Sequence, residues 1–250
     1  MQISRVYRAL GVALLTWLPA LPASAADLPP LPPEDHAAWQ AIGRVNTRGY
    51  NRRGMCSGTL VAPDLVLTAA HCVAGPEGDP VRPERLHFVA GWFGGDYADH
   101  AQVASYEVHP EAYAAHQLDI EHDLALLTLV RPLELPPLTL GSAPAPPFAL
   151  VGYHDLRPNR LSARFDCDGL RDHALLRLSC PVRPGNSGGP VLVREGGRAD
   201  AAPDDAATAD PVTTWRVIGV VSATNARSSL AVPVDEWLRE RLTRGAPYTP

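Results

Sequence analysis

The sequence predicts a mostly β protein built in two halves, with one helix at its C-terminal end. Its apolar runs are short and β-rich, as in CSGTLVAPDLVLTAA, where the turn pair Pro63-Asp64 separates two strand-like segments. The proline-crowded stretch RPLELPPLTLGSAPAPP divides the chain, and central strands exclude proline. These observations favour two β-rich units joined by a connector.

The composition of each segment sets the boundaries of these units. Residues 26–40, which contain DLPPLPPEDH, are Pro-rich and acidic, so we expect an extended N-terminal arm and a folded unit that begins near Trp39. Residues 41–135 form the first β-rich half, and residues 136–147 form the connector. Residues 148–243 form the second half, which contains FALVGY, GPVLV and WRVIGVVSA.

Two further features belong to the second half. The stretch EGGRADAAPDDAATADPVTT, residues 195–214, is acidic and of low complexity, which predicts an exposed loop without an assigned role. Asp235 is a plausible N-cap for a closing helix that we expect to dock on the second half. The apolar face of this helix consists of Val234, Trp237, Leu238 and Leu242.

The N-terminus has the pattern of a secretory signal peptide, residues 1–25. Arg5 and Arg8 precede an apolar stretch that ends near Leu21, and the small residues Ala-Ser-Ala follow. The apolar stretch is interrupted by Pro19 and is shorter than the roughly 20 residues of a membrane-spanning helix. We therefore expect export to a periplasm or to the extracellular space, without a membrane anchor after cleavage.

Charge and composition limit the possible partners. The chain of 250 residues has a net charge of −5 and scattered arginines, a pattern that favours neither nucleic acid nor an anionic membrane as a partner. Its hydrophobic fraction of 46% suits a globular protein, which we expect to be a monomer.

The four cysteines are expected to form disulfides, because an exported protein reaches an oxidising compartment. Cys56, Cys72, Cys167 and Cys180 allow three pairings. We favour Cys56 with Cys72 and Cys167 with Cys180, because each pair closes a short loop that is worth roughly 3 kcal/mol in the loop-entropy model. Their spacings fit no zinc pattern, so neither a metal nor a cofactor is predicted.

Three short motifs carry reactive side chains. GNSGGP places Ser187 among glycines, where the backbone can turn the N–H groups of Gly185 and Ser187 toward one point. TAAHC places His71 at the end of an apolar strand, and HDLALL places Asp123 at the mouth of a buried strand. A buried carboxylate is costly to desolvate without a partner such as the imidazole of His71. Taken singly, the first motif could be an ordinary turn and His71 a structural histidine.

Together the motifs supply a nucleophile, a base, an orienting carboxylate and oxyanion donors, which are the groups that cleave an unactivated amide. Their order, His71, Asp123 and Ser187, and their flanking residues resemble the chymotrypsin (trypsin-like) family of serine peptidases over roughly residues 41–243. AIGRV, VGY and CPVRPGNSGGP resemble its bacterial secreted branch. The resemblance implies an all-β fold of two packed six-stranded antiparallel β-barrels with a C-terminal helix, and a secreted endopeptidase that acts through an acyl-enzyme intermediate.

The resemblance also implies how polypeptide substrates bind. Ser222 is expected to support Asp123, and the edge formed by Ser222, Ala223 and Thr224 is expected to pair with the substrate backbone. The alternative function is a protease-like binding protein that keeps the fold but has an occluded site.

The expected specificity pocket departs from that of trypsins. Pro181 stands six residues before the nucleophile, where trypsins carry an aspartate, so cleavage after Lys or Arg is not expected. Val182 and Thr224 are expected to line a pocket for small or medium uncharged side chains. Arg183 and Arg227 offer an alternative in which an acidic side chain binds.

The proteolytic activation switch of trypsin-like zymogens is not expected. In that switch a freed N-terminal amine pairs with an aspartate just before the nucleophile, but here that residue is Asn186. Ala41 rather than a basic residue precedes Ile42 at the matching cleavage position. We expect Asn186 to hold its loop through neutral hydrogen bonds.

Overall fold

The computed structural model describes residues 27–47, 55–75, 78–114, 117–141, 145–195, 214–225 and 227–244. The predicted signal peptide, and the predicted acidic loop apart from its two ends, lie outside these residues. Strands dominate the described part, and one α-helix follows them, so the predicted all-β fold is confirmed. None of the described helices is long and apolar enough to cross a bilayer.

The first half is a closed antiparallel barrel. In chain order its strands are β1 (Ile42–Thr47), β2 (Met55–Ala62), β3 (Leu65–Thr68), β4 (Leu86–Ala90), β5 (Asp99–Val108), β6 (Tyr113–Ala114), β7 (Gln117–Leu118) and β8 (Ala125–Leu129). Six of them close the barrel in the order β1-β2-β3-β8-β5-β4, while β6 and β7 pair with each other. The predicted turn pair Pro63-Asp64 separates β2 from β3.

The second half is a seven-stranded antiparallel sheet. Its strands are β9 (Phe148–His154), β10 (Arg157–Cys167), β11 (Gly169–Asp172), β12 (Leu175–Leu178), β13 (Pro190–Arg194), β14 (Trp215–Asn225) and β15 (Ser228–Pro233). They lie in the order β10-β9-β13-β14-β15-β12-β11. Only Asp168 separates β10 from β11, so the chain joins the two edges of the sheet. Counted as one bent strand, β10 and β11 give the six strands predicted for a second barrel.

The predicted connector lies against both barrels. Leu138 N donates to Leu60 O of the first barrel, and Gly141 N donates to Val217 O of the second. The connector therefore contacts both barrels.

The N-terminal arm is folded rather than extended into solvent. Leu31 N donates to Leu161 O, and Ala163 N donates to Pro29 O, so the arm covers β10, an edge strand with backbone groups to offer. Leu28 and Leu31 are each 1% exposed. The folded unit thus begins before Trp39, because apolar side chains between the prolines reach the core. A 3-10 helix, Pro33–Trp39, follows.

The C-terminal helix α1 (Glu236–Arg244) begins as predicted but docks elsewhere. Asp235 Oδ1 accepts a hydrogen bond from Leu238 N at 2.9 Å, which makes Asp235 the N-cap. The ring of Trp237 contacts the ring of His109, just after β5, at a centroid distance of 5.2 Å. Arg241 pairs with Glu107 of β5 at 2.8 Å. The helix therefore lies on the first barrel, and the expectation that it docks on the second is wrong.

The two barrels meet where β2 approaches β9. The Ser57 hydroxyl on β2 accepts a hydrogen bond from Tyr153 N of β9 at 2.8 Å and donates to Gly185 O at 2.8 Å. The Tyr153 hydroxyl donates to Trp92 O at 2.9 Å, back in the first half. These buried bonds fix the loop that carries Ser187 at the junction of the barrels.

Candidate active site

His71 and Asp123 are brought together by two paired strands. His71 lies in the 3-10 helix Ala70–Val73 that follows β3, and Asp123 lies just before β8. Because Thr68 of β3 pairs with Ala125 of β8, the two segments meet at one end of the barrel. Asp123 Oδ2 lies 2.7 Å from His71 Nδ1, and Asp123 Oδ1 accepts from His71 N at 2.9 Å.

The Asp123 carboxylate is fully buried, and three donors stabilise it. The third donor is the Ser222 hydroxyl, which lies 2.5 Å from Asp123 Oδ2. Charge-assisted bonds of this kind offset the cost of burying a carboxylate. An ionised carboxylate only accepts, so a neutral His71 in this position carries its proton on Nδ1 and has Nε2 as an acceptor. This is the tautomer that a general base needs.

Ser187 reaches the same place through the backbone of its loop. Gly188 N donates to Val221 O at 2.8 Å, and Val221 N donates to Gly189 O at 2.9 Å, directly beside Ser222. Ser57 N donates to Ser187 O at 2.8 Å. Among the described residues no hydrogen bond joins the Ser187 hydroxyl to His71. Such bonds are often long before substrate binds.

Asn186 anchors the loop with neutral hydrogen bonds, as predicted. Its side chain is 2% exposed, Oδ1 accepts from Arg183 N at 2.9 Å, and Nδ2 donates to Tyr153 O at 2.9 Å. Both polar atoms are therefore satisfied without a charged partner.

The loop leaves two backbone amides without a protein acceptor. The amides of Asn186, Gly188 and Gly189 all donate to backbone oxygens. Within the described part of the chain, the amides of Gly185 and Ser187 donate to no protein group. Gly185 has a φ of 104°, a left-handed conformation that aligns its amide at little cost because glycine has no Cβ. Two such donors beside a nucleophile suit an oxyanion.

The predicted substrate edge becomes more exposed along β14. Ser222 is buried, Ala223 is half-buried and Thr224 is exposed. The Thr224 hydroxyl stays within its own turn, where it donates to Asn225 O at 2.9 Å. The strand thus presents Ala223 and Thr224 at the surface beside the candidate triad.

Two of the residues predicted for the specificity pocket are buried. Pro181 is buried, and Val182 is 7% exposed within the second core cluster. Ser229 was not predicted as a site residue; its buried hydroxyl donates to Cys180 O at 2.9 Å and links β15 to the segment before Pro181. No local motif marks this contact.

The two candidate arginines differ in their surroundings. Arg183 Nε donates to Asp155 Oδ1 at 2.7 Å, and a second bond to Oδ2 measures 2.9 Å. These hydrogen bonds lower the pKa of Asp155 from its usual value. Arg227 is exposed. The alternative in which Arg183 binds an acidic substrate side chain is therefore disfavoured, because a carboxylate of the protein already occupies the guanidinium.

An apolar cavity of about 380 Å³ lies beside the His71 helix, and no sequence motif marks it. Its lining includes Ala70, Val73 and Tyr113. Burial, together with the negative charge of Asp123, raises the pKa of Tyr113 to about 12. This side of the candidate site therefore suits an uncharged side chain.

Both disulfides are present with the favoured pairings. Cys56 on β2 is bonded to Cys72 in the His71 helix, and Cys167 at the end of β10 is bonded to Cys180. Cys56 and Cys72 also lie close to His71, but as a disulfide they offer no thiolate to a metal. The first disulfide instead fixes the His71 helix to β2.

The known proteins to which the chain is similar include serine proteases and a trypsin. The chain is 28% identical to serine protease 23 of Mus musculus and of Homo sapiens over 184 residues, which are 56% of this chain and 43% of each relative. It is also 33% identical over 90 residues to a trypsin of Saccharopolyspora erythraea, with 35% of this chain and 36% of the relative covered. The match thus spans less than half of these relatives' length.

Residues 56–199, more than half of the chain, match the family described as the trypsin-like peptidase domain. This range includes His71, Asp123 and Ser187, and the fold described above agrees with it. The chain belongs to the trypsin-like peptidase family.

Proposed function

We propose that this protein is a serine endopeptidase that hydrolyses peptide bonds through His71, Asp123 and Ser187. The observation that carries the proposal is the fully buried Asp123 carboxylate, which is held by Ser222 and by both Nδ1 and the amide of His71. A buried charge of this kind orients an imidazole at the barrel junction, where the Ser187 loop also lies.

Acylation begins when the Ser187 hydroxyl attacks the carbonyl carbon of the scissile bond. The hydroxyl proton passes to Nε2 of His71, and the imidazolium that forms is stabilised by Asp123. The carbonyl oxygen becomes an oxyanion that accepts hydrogen bonds from the amides of Gly185 and Ser187. The C–N bond then breaks, and the departing amine takes the proton from His71 Nε2.

In deacylation, water is the nucleophile and the Ser187 oxygen is the leaving group. The remaining acyl group is an ester of Ser187, and a water molecule attacks it after giving a proton to His71 Nε2. The second oxyanion collapses, the ester bond breaks, and the Ser187 oxygen recovers the proton from His71. The products are a carboxylic acid and an amine, and no cofactor or metal takes part in these steps.

We further propose that the substrates are polypeptides cleaved after small or medium uncharged residues. Pro181 and Val182 supply no charge, and the guanidinium of Arg183 is engaged by Asp155. The edge of Ala223 and Thr224 would pair with the substrate backbone as an added strand. A cleavage-site profile on a peptide library tests this, and a dominant preference for Lys or Arg would contradict it.

Export, a monomeric state and membership of the bacterial branch are also parts of the proposal. Both disulfides are bonds that persist in oxidising compartments such as a periplasm or the extracellular space. The matched relatives include mammalian proteins and the trypsin of Saccharopolyspora erythraea, so the branch stays a prediction.

A fluorophosphonate probe tests the central proposal. We expect the folded wild-type protein to be labelled at Ser187 and the Ser187→Ala variant to remain unlabelled, with hydrolysis reduced by about 10³ or more. Ser105→Ala, at an exposed position of β5, is the matched control and should label like the wild type. Folded wild-type protein that stays unlabelled would favour the alternative, a binding protein with an occluded site.

A further inference from the structure

Arg183 joins three separate parts of the chain next to the nucleophile. Its guanidinium pairs with Asp155 in the turn between β9 and β10, at 2.7 Å. It also lies 3.6 Å from the carboxylate of Asp27, at the beginning of the N-terminal arm. A cation four residues before Ser187 is thus placed between two carboxylates from distant segments.

The backbone of Arg183 controls the loop that carries Ser187. Arg183 N donates to Asn186 Oδ1 at 2.9 Å, and Arg183 O accepts from Asn186 N at 2.9 Å. Asp155 N donates to Pro184 O at 2.9 Å, which attaches the middle of the same loop. Any displacement of Arg183 therefore moves Asn186 and the two amides on either side of it.

The arm has a second attachment at this point. Leu28 is 1% exposed and lies in the same apolar cluster as Val182, the residue before Arg183. Leu28 O accepts a hydrogen bond from Arg157 at 2.9 Å, at the start of β10. Leu31 is equally buried, but it belongs to the other apolar cluster. Variants at Leu28 and Leu31 can therefore distinguish the docking of the arm as a whole from its packing in the cluster that contains Val182.

We propose that Asp27 and Leu28 are positioning residues that hold the loop of residues 183–187 in its catalytic geometry. The proposal rests on the serine peptidase function proposed above. The loop supplies the cation, and the arm supplies the second of its two carboxylates. Leu28 anchors the arm by burying apolar surface, and Asp27 adds a second, longer ion pair to the guanidinium that Asp155 already holds.

The ion pair alone is a modest contribution. The side chains of Asp27 and Arg183 are 34% and 29% exposed, and partly exposed pairs are weakened by water and salt. We therefore expect the loss of Leu28 to have the larger effect and the loss of the Asp27 charge the smaller one.

The first experiment measures how fast a small uncharged fluorophosphonate acylates Ser187, per folded molecule. We expect Asp27→Asn to slow acylation about threefold and Leu28→Ala about tenfold or more, with KM for a peptide substrate changed little. Leu31→Ala, with the same burial on the same arm, and Glu34→Gln, at an exposed position, are the controls. Both should acylate at the wild-type rate once the folded fraction is taken into account.

The second experiment does not depend on activity. Hydrogen exchange of the peptide that spans the 183–189 segment should be faster in Asp27→Asn and Leu28→Ala than in the wild type and in Leu31→Ala. Unchanged exchange in that peptide, or equal acylation by Leu28→Ala and Leu31→Ala, would overturn the proposal. A wild-type protein that is not acylated would instead reject the peptidase function, and the exchange experiment would still decide the role of the arm.

Discussion

Replacing Gly188 by alanine should destabilise the protein and displace its nucleophile. Gly188 has a φ of 78°, a left-handed conformation that costs other residues about 1–2 kcal/mol. An added Cβ would lie less than 3.0 Å from both Thr68 Oγ1 and Ser57 O. These two atoms are hydrogen-bonded to each other at 2.8 Å, so neither moves without losing that bond. Overpacking of this kind costs about 1–3 kcal/mol more, which gives a total loss of about 2–5 kcal/mol.

Gly94→Ala is a control that isolates the backbone contribution. Gly94 has a φ of 65°, but no atom lies within 4 Å of the position of its added Cβ. The free energy of unfolding of Gly94→Ala should be only about 1–2 kcal/mol lower than that of the wild type. Urea unfolding of the two variants and the wild type gives both differences.

Acylation by a fluorophosphonate reports on the position of Ser187 in the same variants. Because Gly188 follows the nucleophile directly, we expect folded Gly188→Ala to react about 10²-fold more slowly, while Gly94→Ala reacts at the wild-type rate. If Gly188→Ala were as stable as Gly94→Ala and reacted like the wild type, the close approach of this loop to β2 and β3 would not matter.

Three other results are expected. Ser222→Ala should lower kcat/KM about tenfold in steady-state kinetics, because Asp123 loses one charge-assisted hydrogen bond worth about 1.5–3 kcal/mol, and unchanged kinetics would contradict this. Burial lowers the pKa of four histidines from 6.5, namely His36, His87, His109 and His154. The unfolded chain then binds more protons than the folded protein. The free energy of unfolding should therefore decrease as the pH is lowered from about 7 to about 5, and a flat profile in urea titrations would refute the reasoning. Removing the Cys56–Cys72 disulfide, which spans 16 residues, should cost about 3 kcal/mol by urea unfolding, and a loss below about 1 kcal/mol would argue against it.

The parts of the structure that the sequence predicts are those with a local signal. The turn at Pro63-Asp64 and the N-cap at Asp235 depend on neighbouring residues, so composition and spacing identify them. His71 and Asp123 come after one buried strand and before another. The resemblance to a known family relates those two strands, which local patterns alone cannot do.

The arm and the helix show where local reasoning fails. The Pro-rich arm has a composition that predicts no core. Leu28 and Leu31 are nevertheless buried, because the arm pairs with β10, an edge strand more than a hundred residues away. Helix α1 follows the second barrel in the chain, but Trp237 and Arg241 find their partners beside β5 of the first. Both contacts depend on how strands that are distant in the sequence are arranged in space, which a single apolar pattern does not encode.

Asn186→Asp should convert the loop into one that is ordered only when its new carboxyl is protonated. Asn186 is 2% exposed, and Nδ2 donates to Tyr153 O at 2.9 Å. A carboxylate oxygen in that place would face a carbonyl oxygen, and the Arg183 guanidinium is already engaged by Asp155. Burial and this repulsion should raise the pKa of the introduced carboxyl above its ordinary value of about 3.9.

The sign of the pH effect follows from that raised pKa. Below it, the protonated carboxyl donates to Tyr153 O and restores the native arrangement, so the stabilisation is present at low pH and is lost as the pH rises through the raised value. Acylation by the Asn186→Asp variant should therefore be about 10²-fold slower than wild type near pH 8, and the ratio of the two rates should approach one toward pH 5. Both proteins carry the same His71, Asp123 and Ser187, so the ratio reports the effect of residue 186. A ratio that stays constant over this range would mean that the Asn186 amide is not the group that orders the loop.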